Sequence, residues 1–202
     1  MKTLMYLIMM IFLSKAVMAE SRQLFNVHKA YNRTVVIGTM INRKNINGRG
    51  KKQVRAIGNL LNIGSPRLKD KQLFTGETKN IETSQESVYV LVNMINHGNI
   101  KANTRGKNSG KALAIGNQIN IQGARGIVSI KTNTTNTGNI NAQTNAVGNV
   151  KASAAALEIN VKGNPHLVQV QGKVHEQGNI SATAISGGVI GALKKAGEYN
   201  LR

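Results

Sequence analysis

The sequence predicts an all-β chain, and within that class a β-solenoid of four 40-residue repeats whose first copy is degenerate. One observation is a gapless internal register: Val88, Val90, Gly98, Asn99, Ile100, Ala102, Lys111, Ala112, Ala114, Ile119, Asn120 and Ile121 recur as Val128, Ile130, Gly138, Asn139, Ile140, Ala142, Lys151, Ala152, Ala154, Ile159, Asn160 and Val161. A third copy begins at Val168 and Val170 and runs through Gly178, Asn179, Ile180 and Ala182. Another observation is a finer beat of apolar-polar-apolar triplets, such as Val128-Ser129-Ile130, Ile140-Asn141-Ala142, Val150-Lys151-Ala152 and Ile159-Asn160-Val161, which follow one another at short, nearly even intervals. Side chains on a strand alternate faces, so each triplet buries its ends and exposes its middle. The remaining observation is compositional. With no cysteine and no tryptophan among 202 residues, neither disulfides nor a large aromatic core can hold the chain, whereas stacked repeats need only bury their faces on their neighbours.

Taken in order, residues 1 to 19 read as a signal peptide: Lys2 supplies a positive start, Leu4 to Leu13 an apolar run, and Val17-Met18-Ala19 a small-residue cleavage site. That run is too short to span about 30 Å of hydrocarbon at about 1.5 Å per residue. Residues 20 to 33 carry no repeat and form an N-terminal cap or disordered arm. Residues 34 to 65 are the worn first copy, in which Met40 and Ile46 align with Met94 and Ile100, and Ala56-Ile57-Gly58-Asn59 with Ala114-Ile115-Gly116-Asn117, four residues being missing between the two blocks. Residues 66 to 87, with Pro66 and a polar run from Thr75 to Ser87, are expected as an exposed insert loop, and residues 88 to 202 hold repeats two to four. Two strand legs per turn would give about 20 residues per rung and two rungs per repeat. About eight rungs at about 4.8 Å would make a rod about 40 Å long.

Glycine-asparagine pairs stand between triplets: Gly98-Asn99, Gly116-Asn117, Gly138-Asn139, Gly148-Asn149, Gly163-Asn164 and Gly178-Asn179. Both residue types enter left-handed backbone cheaply, which suits tight turns. In a stack, equivalent positions lie above one another, so Asn62, Asn120, Asn160 and Asn200 are candidates for an amide ladder, outward-facing at Asn120, Asn160 and Asn200, as are the asparagines that follow the turn glycines.

Charge bounds the partners. Lys and Arg number 27 against 8 Asp and Glu, and loss of Lys2 and Lys15 with the leader lowers the net charge from +19 to +17. Such a field favours acidic partners and opposes self-association at low salt. Arg43, Lys44, Arg49, Lys51, Lys52 and Arg55 form a dense run in the first copy, followed by Lys101, Arg105, Lys107 and Lys111 in the second, while Lys151 keeps the position of Lys111. These ten residues from Arg43 to Lys111 are candidates for gripping a polyanion: lipopolysaccharide, acidic polysaccharide or extracellular DNA. They also suit a solvated face that guards a strand edge. Aromatic interleaving for nucleic-acid stacking is missing.

No catalytic constellation is found. His28, His97, His166 and His175 share no repeat position and no metal-ligand spacing, and no Gly-x-Ser-x-Gly context occurs. The expectation is a protein that is not an enzyme and has no cofactor, metal or small-molecule substrate.

The Gly-Asn-Ile-x-Ala units, the Gln143-Thr144-Asn145-Ala146-Val147-Gly148-Asn149 segment and the leader together resemble repetitive bacterial surface proteins. They are similar in style to curlin-type fibre subunits and holdfast attachment proteins, and more loosely to filamentous-haemagglutinin β-helices. The resemblance implies a right-handed or curlin-like β-solenoid in an adhesive fibre or biofilm matrix at the cell surface. It also implies pairing with itself or related subunits and an outer-membrane secretion or anchoring partner. Irregular Gln and abundant Lys depart from curlin ladders. The other function class is a monomeric cationic rod that grips an acidic surface.

The final repeat reaches Tyr199-Asn200-Leu201, matching Ile159-Asn160-Val161, and these three residues are expected to form an assembly rung. Determination of the N-terminus of the exported protein is expected to give Glu20. An exported chain that begins at Met1 would refute the leader.

Overall fold

The computed structural model describes residues 25–64, 72–83, 87–106, 108–186 and 190–201, so the expected leader, residues 1 to 19, lies outside the described residues. Fourteen strands form in chain order. The first group is β1 (Phe25–Ala30), β2 (Arg33–Asn42), β3 (Ile46–Gly50), β4 (Gln53–Ile63) and β5 (Leu73–Ile81). Then come β6 (Ser87–Asn96), β7 (Ile100–Gly106) and β8 (Gly110–Ala124); β9 (Ile127–Asn136), β10 (Ile140–Ala146) and β11 (Val150–Gly163); and β12 (Leu167–Glu176), β13 (Ile180–Ser186) and β14 (Ile190–Leu201). The described residues contain no helix.

Each 40-residue unit gives one strand to each of three parallel sheets. Sheet I has the order β1-β2-β6-β9-β12, sheet II β13-β10-β7-β3, and sheet III β14-β11-β8-β4-β5. Pairing partners are equivalent positions of successive units, as in Ile140 with Ile100, Ala142 with Ala102 and Val128 with Val88. The two levels per unit expected from the triplets do not form. Four triplets per unit make three strands because the 14-residue β11 carries two of them, Val150-Lys151-Ala152 and Ile159-Asn160-Val161, in one strand that bends where its inward-facing parity switches from Ala152, Ala154 and Ala156 to Leu157, Ile159 and Val161. Five strands then span four inter-strand spacings of about 4.8 Å, roughly 19 Å and about half the expected depth.

The bend splits the interior in two. Before it, alanines of sheet III (Ala112, Ala114, Ala152, Ala154) pack on Ile100, Ala102, Ile140 and Ala142 of sheet II. After it, Ile119, Ile121, Ile159 and Val161 pack on Val88, Val90, Val128 and Ile130 of sheet I. Val128, Ile140 and Ile159 have no exposed surface and Val150 only 4%, as the alternation requires.

Two parts of the N-terminal region close one end of the stack. β1 pairs antiparallel with β2, from Phe25 opposite Gly38 to Ala30 opposite Arg33. Residues 73 to 81, expected within an exposed loop, instead form β5 and pair parallel with β4, Asn80 opposite Asn62. A strand with a neighbour on one side only tolerates the polar residues that gave this segment its loop-like pattern. Phe74 approaches Gly48 of β3, and Phe25 packs against the core of sheets I and III. Both phenylalanines of the described residues therefore sit at this end, where no neighbouring unit restricts side-chain size.

The turn glycines between sheets I and II, Gly98, Gly138 and Gly178, owe their place to crowding rather than to left-handed backbone, whereas Gly163 has a positive φ. Among the described residues only Gly64, Gly123 and Gly163 have positive φ. A Cβ on Gly138 would overlap the carbonyl oxygen of Gly98, and one on Gly178 that of Gly138, because the turns between sheets I and II stack directly. Gly138→Ala should therefore cost about 2–3 kcal/mol through overpacking. Gly123 has φ 83° and open space around its Cβ position, so Gly123→Ala should cost about 1–2 kcal/mol through backbone strain. Asparagine, which tolerates left-handed backbone, should recover stability at position 123 and not at 138. Urea midpoints at constant m-value check this. Equal rescue at both sites would refute the crowding account.

Candidate functional site

Two kinds of arrangement carry chemistry: columns of amides within and on the stack, and a cationic trough on its outside. The outer column contains residues expected from sequence. Asn120 donates to Asn62 Oδ1 at 2.9 Å, Asn160 donates to Asn120 Oδ1 at 2.9 Å, and Asn62 donates to Asn80 Oδ1 at 2.8 Å. Asn200 is paired with Asn160 in the backbone register. A second column runs through the turns, where the backbone N–H of Asn99, Asn139 and Asn179 donates to the side-chain oxygen of Asn45, Asn99 and Asn139 respectively.

A third, interior column was not singled out from sequence. Asn42 donates to Asn96 Oδ1 at 2.7 Å, Asn96 to Asn136 Oδ1 at 2.5 Å, and Asn136 to Glu176 Oε1 at 2.7 Å. Each of these asparagines ends a strand of sheet I and also donates to a turn carbonyl, of Lys44, Gly98 or Gly138. The column lies against the bend of sheet III: a Cβ on Gly58 would come within 2.5 Å of Asn96 Oδ1, and one on Gly116 within 3.0 Å of Asn136 Oδ1. The available signal was the 40-residue spacing of Asn96 and Asn136, with Glu176 next in line.

The basic residues divide into separate groups. Arg43 and Lys44 stand exposed at the turn between β2 and β3, while Arg49 and Lys101 point outward from sheet II. Lys107 lies outside the described residues. Along sheet III, Arg55 and Lys162 lie at the bend and Lys111 and Lys151 before it, and Lys51, Lys52 and Arg105 gather at the corner of sheets II and III. Pairing explains the recess there. Gly50 lies opposite Thr104, an offset of 54, and Gln53 opposite Lys111, an offset of 58, so the four residues missing from the first unit are missing from this corner. A cavity of about 590 Å³ is lined by Lys51, Lys52, Arg105, Asn108, Ser109 and Asn145.

This cavity continues into a second, of about 420 Å³, which shares Lys52 and Ser109 and adds Lys111 and Lys151. A third, of about 240 Å³, shares Gln53 and Lys111 and ends in the bend of sheet III beside Arg55, Leu113, Glu158 and Lys162. The floor at the bend is built. Gln118, with no exposed surface, donates to Glu158 Oε1 at 2.7 Å and accepts from Arg55 at 3.3 Å, and Asn160 donates to the same Glu158 oxygen at 2.7 Å. Glu158 is the single carboxylate among the described residues lining the trough.

The histidines stay apart. His97 Nδ1 lies 2.9 Å from Thr137 Oγ1, and His175 Nε2 lies 2.9 Å from Gln177 Nε2. Among the described residues no three His, Cys, Asp or Glu side chains cluster so as to hold a metal ion, and no helix is long and apolar enough to cross a membrane.

No protein-family model matches the chain, and neither a curated protein nor a solved structure does.

Asn96→Ala should cost about 2–4 kcal/mol, because it removes three buried hydrogen bonds and leaves a donor of Asn42 and an acceptor of Asn136 without partners. Asn120→Ala, in the half-buried outer column, should cost about 1 kcal/mol. Urea denaturation measures both, and equal losses would refute the primacy of the interior column.

Proposed function

We propose that the three-sheet stack is a β-solenoid, one 40-residue coil per turn. In this reading it serves as a structural subunit or anchor of an extracellular adhesive fibre or biofilm matrix, exported by its leader. The observation that carries the proposal is the difference between the two ends of the stack. Beneath the first coil, sheets I and III are continued by β1 and β5. At the fourth coil, β12, β13 and β14 are edge strands in all three sheets among the described residues. Val168 and Val170 are half-buried there, whereas their partners Val128 and Ile130 are buried. Unpaired strand edges over a half-exposed apolar interior favour the addition of further β structure.

The complement of that surface is another coil. β5 is parallel to β4, so a second copy stacked through its β5 would extend sheet III in parallel. Such stacking would continue the outer amide column from Asn200 of one copy to Asn80 of the next. The expected partners are therefore the protein itself or related subunits, with an outer-membrane secretion or anchoring factor. Net charge opposes association, and salt relieves it.

Sedimentation of the exported protein should show little polymer at low salt and growth at about 0.15 M, where the Debye length is about 8 Å. Val170→Lys, which places a charge on the exposed interior of the fourth coil, and deletion of residues 198 to 202 should each stop growth while β content by circular dichroism persists. A wild-type monomer at both salts would overturn the structural role. Growth of both variants at the original rate would overturn the edge as its cause.

A further inference from the structure

We infer that the cationic trough on the outer face of sheet III binds a linear acidic polysaccharide. The site is independent of the proposed assembly, since it lies on the flank of the stack and uses no strand edge.

The lining supplies what such a ligand needs. Lys52 and Arg105 stand at the corner, Lys111 and Lys151 along the first arm of sheet III, and Arg55 and Lys162 at the bend. Lys111 and Lys151 are register partners on adjacent parallel strands, about 4.8 Å apart at the backbone, so both ammonium groups can reach one anion. An acidic group held between the two strands would be met by both cations.

The trough is also long and amide-rich. From Gly110 to Ile115 the first arm of sheet III extends about 20 Å at about 3.4 Å per residue, enough for an oligosaccharide and more than a single anion requires. Gln53, Asn108 and Asn145 line it and offer amide donors and acceptors to hydroxyl groups, and Leu113 offers one apolar side chain to the C–H face of a sugar ring. Glu158 is held by Gln118 and Asn160, which fixes the floor. Among the described lining residues there is no aromatic ring, so single-stranded nucleic acid would lack the stacking platforms that give it affinity.

The test measures binding of the full exported chain to sodium alginate, to neutral dextran and to oligo-dT at matched ionic strength. Alginate should bind with affinity that falls as salt rises, dextran should not bind, and oligo-dT should bind more weakly than alginate. The double variant Lys111→Glu/Lys151→Glu should weaken alginate binding about tenfold or more, the factor that 1.4 kcal/mol represents. Lys101→Glu, which carries a comparable exposed charge on sheet II, should weaken it far less. Leu113→Ala should weaken alginate binding without changing the salt slope, which reports the number of ionic contacts. Circular dichroism confirms that each variant is folded. Equal losses from Lys101→Glu and from the double variant would overturn the site in favour of diffuse attraction, and tighter binding of oligo-dT than of alginate would overturn the ligand class.

Discussion

Stacking of like upon like is the constraint on which the rest of this structure depends. An asparagine amide carries both a donor and an acceptor, so it can bond to a copy of itself above and below, provided that the same residue returns at every level of a parallel stack. Asn42, Asn96 and Asn136 meet that condition inside the protein, and Glu176 ends the series as an acceptor. Their second hydrogen bonds, to turn carbonyls, fix the exit of each strand of sheet I. The amides take up the space that a side chain at Gly58 or Gly116 would need. The bend of sheet III thus falls where glycine admits the column, and the bend divides the interior into an alanine-lined part and a β-branched part.

The same repetition works against charges. Amides gain from facing their copies, whereas ammonium groups lose, and a stack that repeats cations must separate them, screen them or give them a counter-ion. Lys111 and Lys151 are flanked in their column by Gln53 on one side and Gly191 on the other, so like charges adjoin in this register at one pair. That pair borders the trough. The first unit is shorter by four residues at the neighbouring corner, and the loss of backbone there opens the recess into which Lys51, Lys52 and Arg105 project. Degeneration of a repeat and formation of a cationic cavity are one event in this geometry. The regular units could not make the cavity, because their corners lie directly on one another, with Gly148 against the carbonyl of Asn108.

The two ends of the stack differ in side-chain size as well as in pairing. Interior positions of the middle units hold mostly Ala, Val, Ile and Leu, with Met94 and buried threonines such as Thr104 and Thr144, whose shapes repeat without conflict at a spacing of about 4.8 Å. Phe25 and Phe74 are found where the repeat has not yet begun or has been interrupted. A terminal layer has a free side and can accept a ring, and the ring in turn covers the apolar surface beneath it.

The sequence by itself determined the strand class, the 40-residue period and the facing of residues along most strands, because the alternation of apolar and polar residues acts within a few residues of each position. Val128, Ile140, Val150 and Ile159 are inward, and Lys101 and Arg105 outward, for that local reason. Only the tertiary structure decided how many strands make a level. Two triplets of β11 lie in one bent strand rather than in two, and nothing local distinguishes a bend from a turn when Gly-Asn stands at both. Tertiary contact also decided why the turn glycines are glycines: Gly138 and Gly178 have ordinary backbone and are kept bare by carbonyls of the unit before their own. The polar segment of β5 shows the same limit, since a strand with one neighbour needs no alternating pattern and therefore leaves none to read. The trough was legible only in part. Its cations were visible as a basic run, but Arg43, Lys44, Arg49 and Lys101 belong to the same run and lie elsewhere, because which charges converge depends on the corner that each strand reaches.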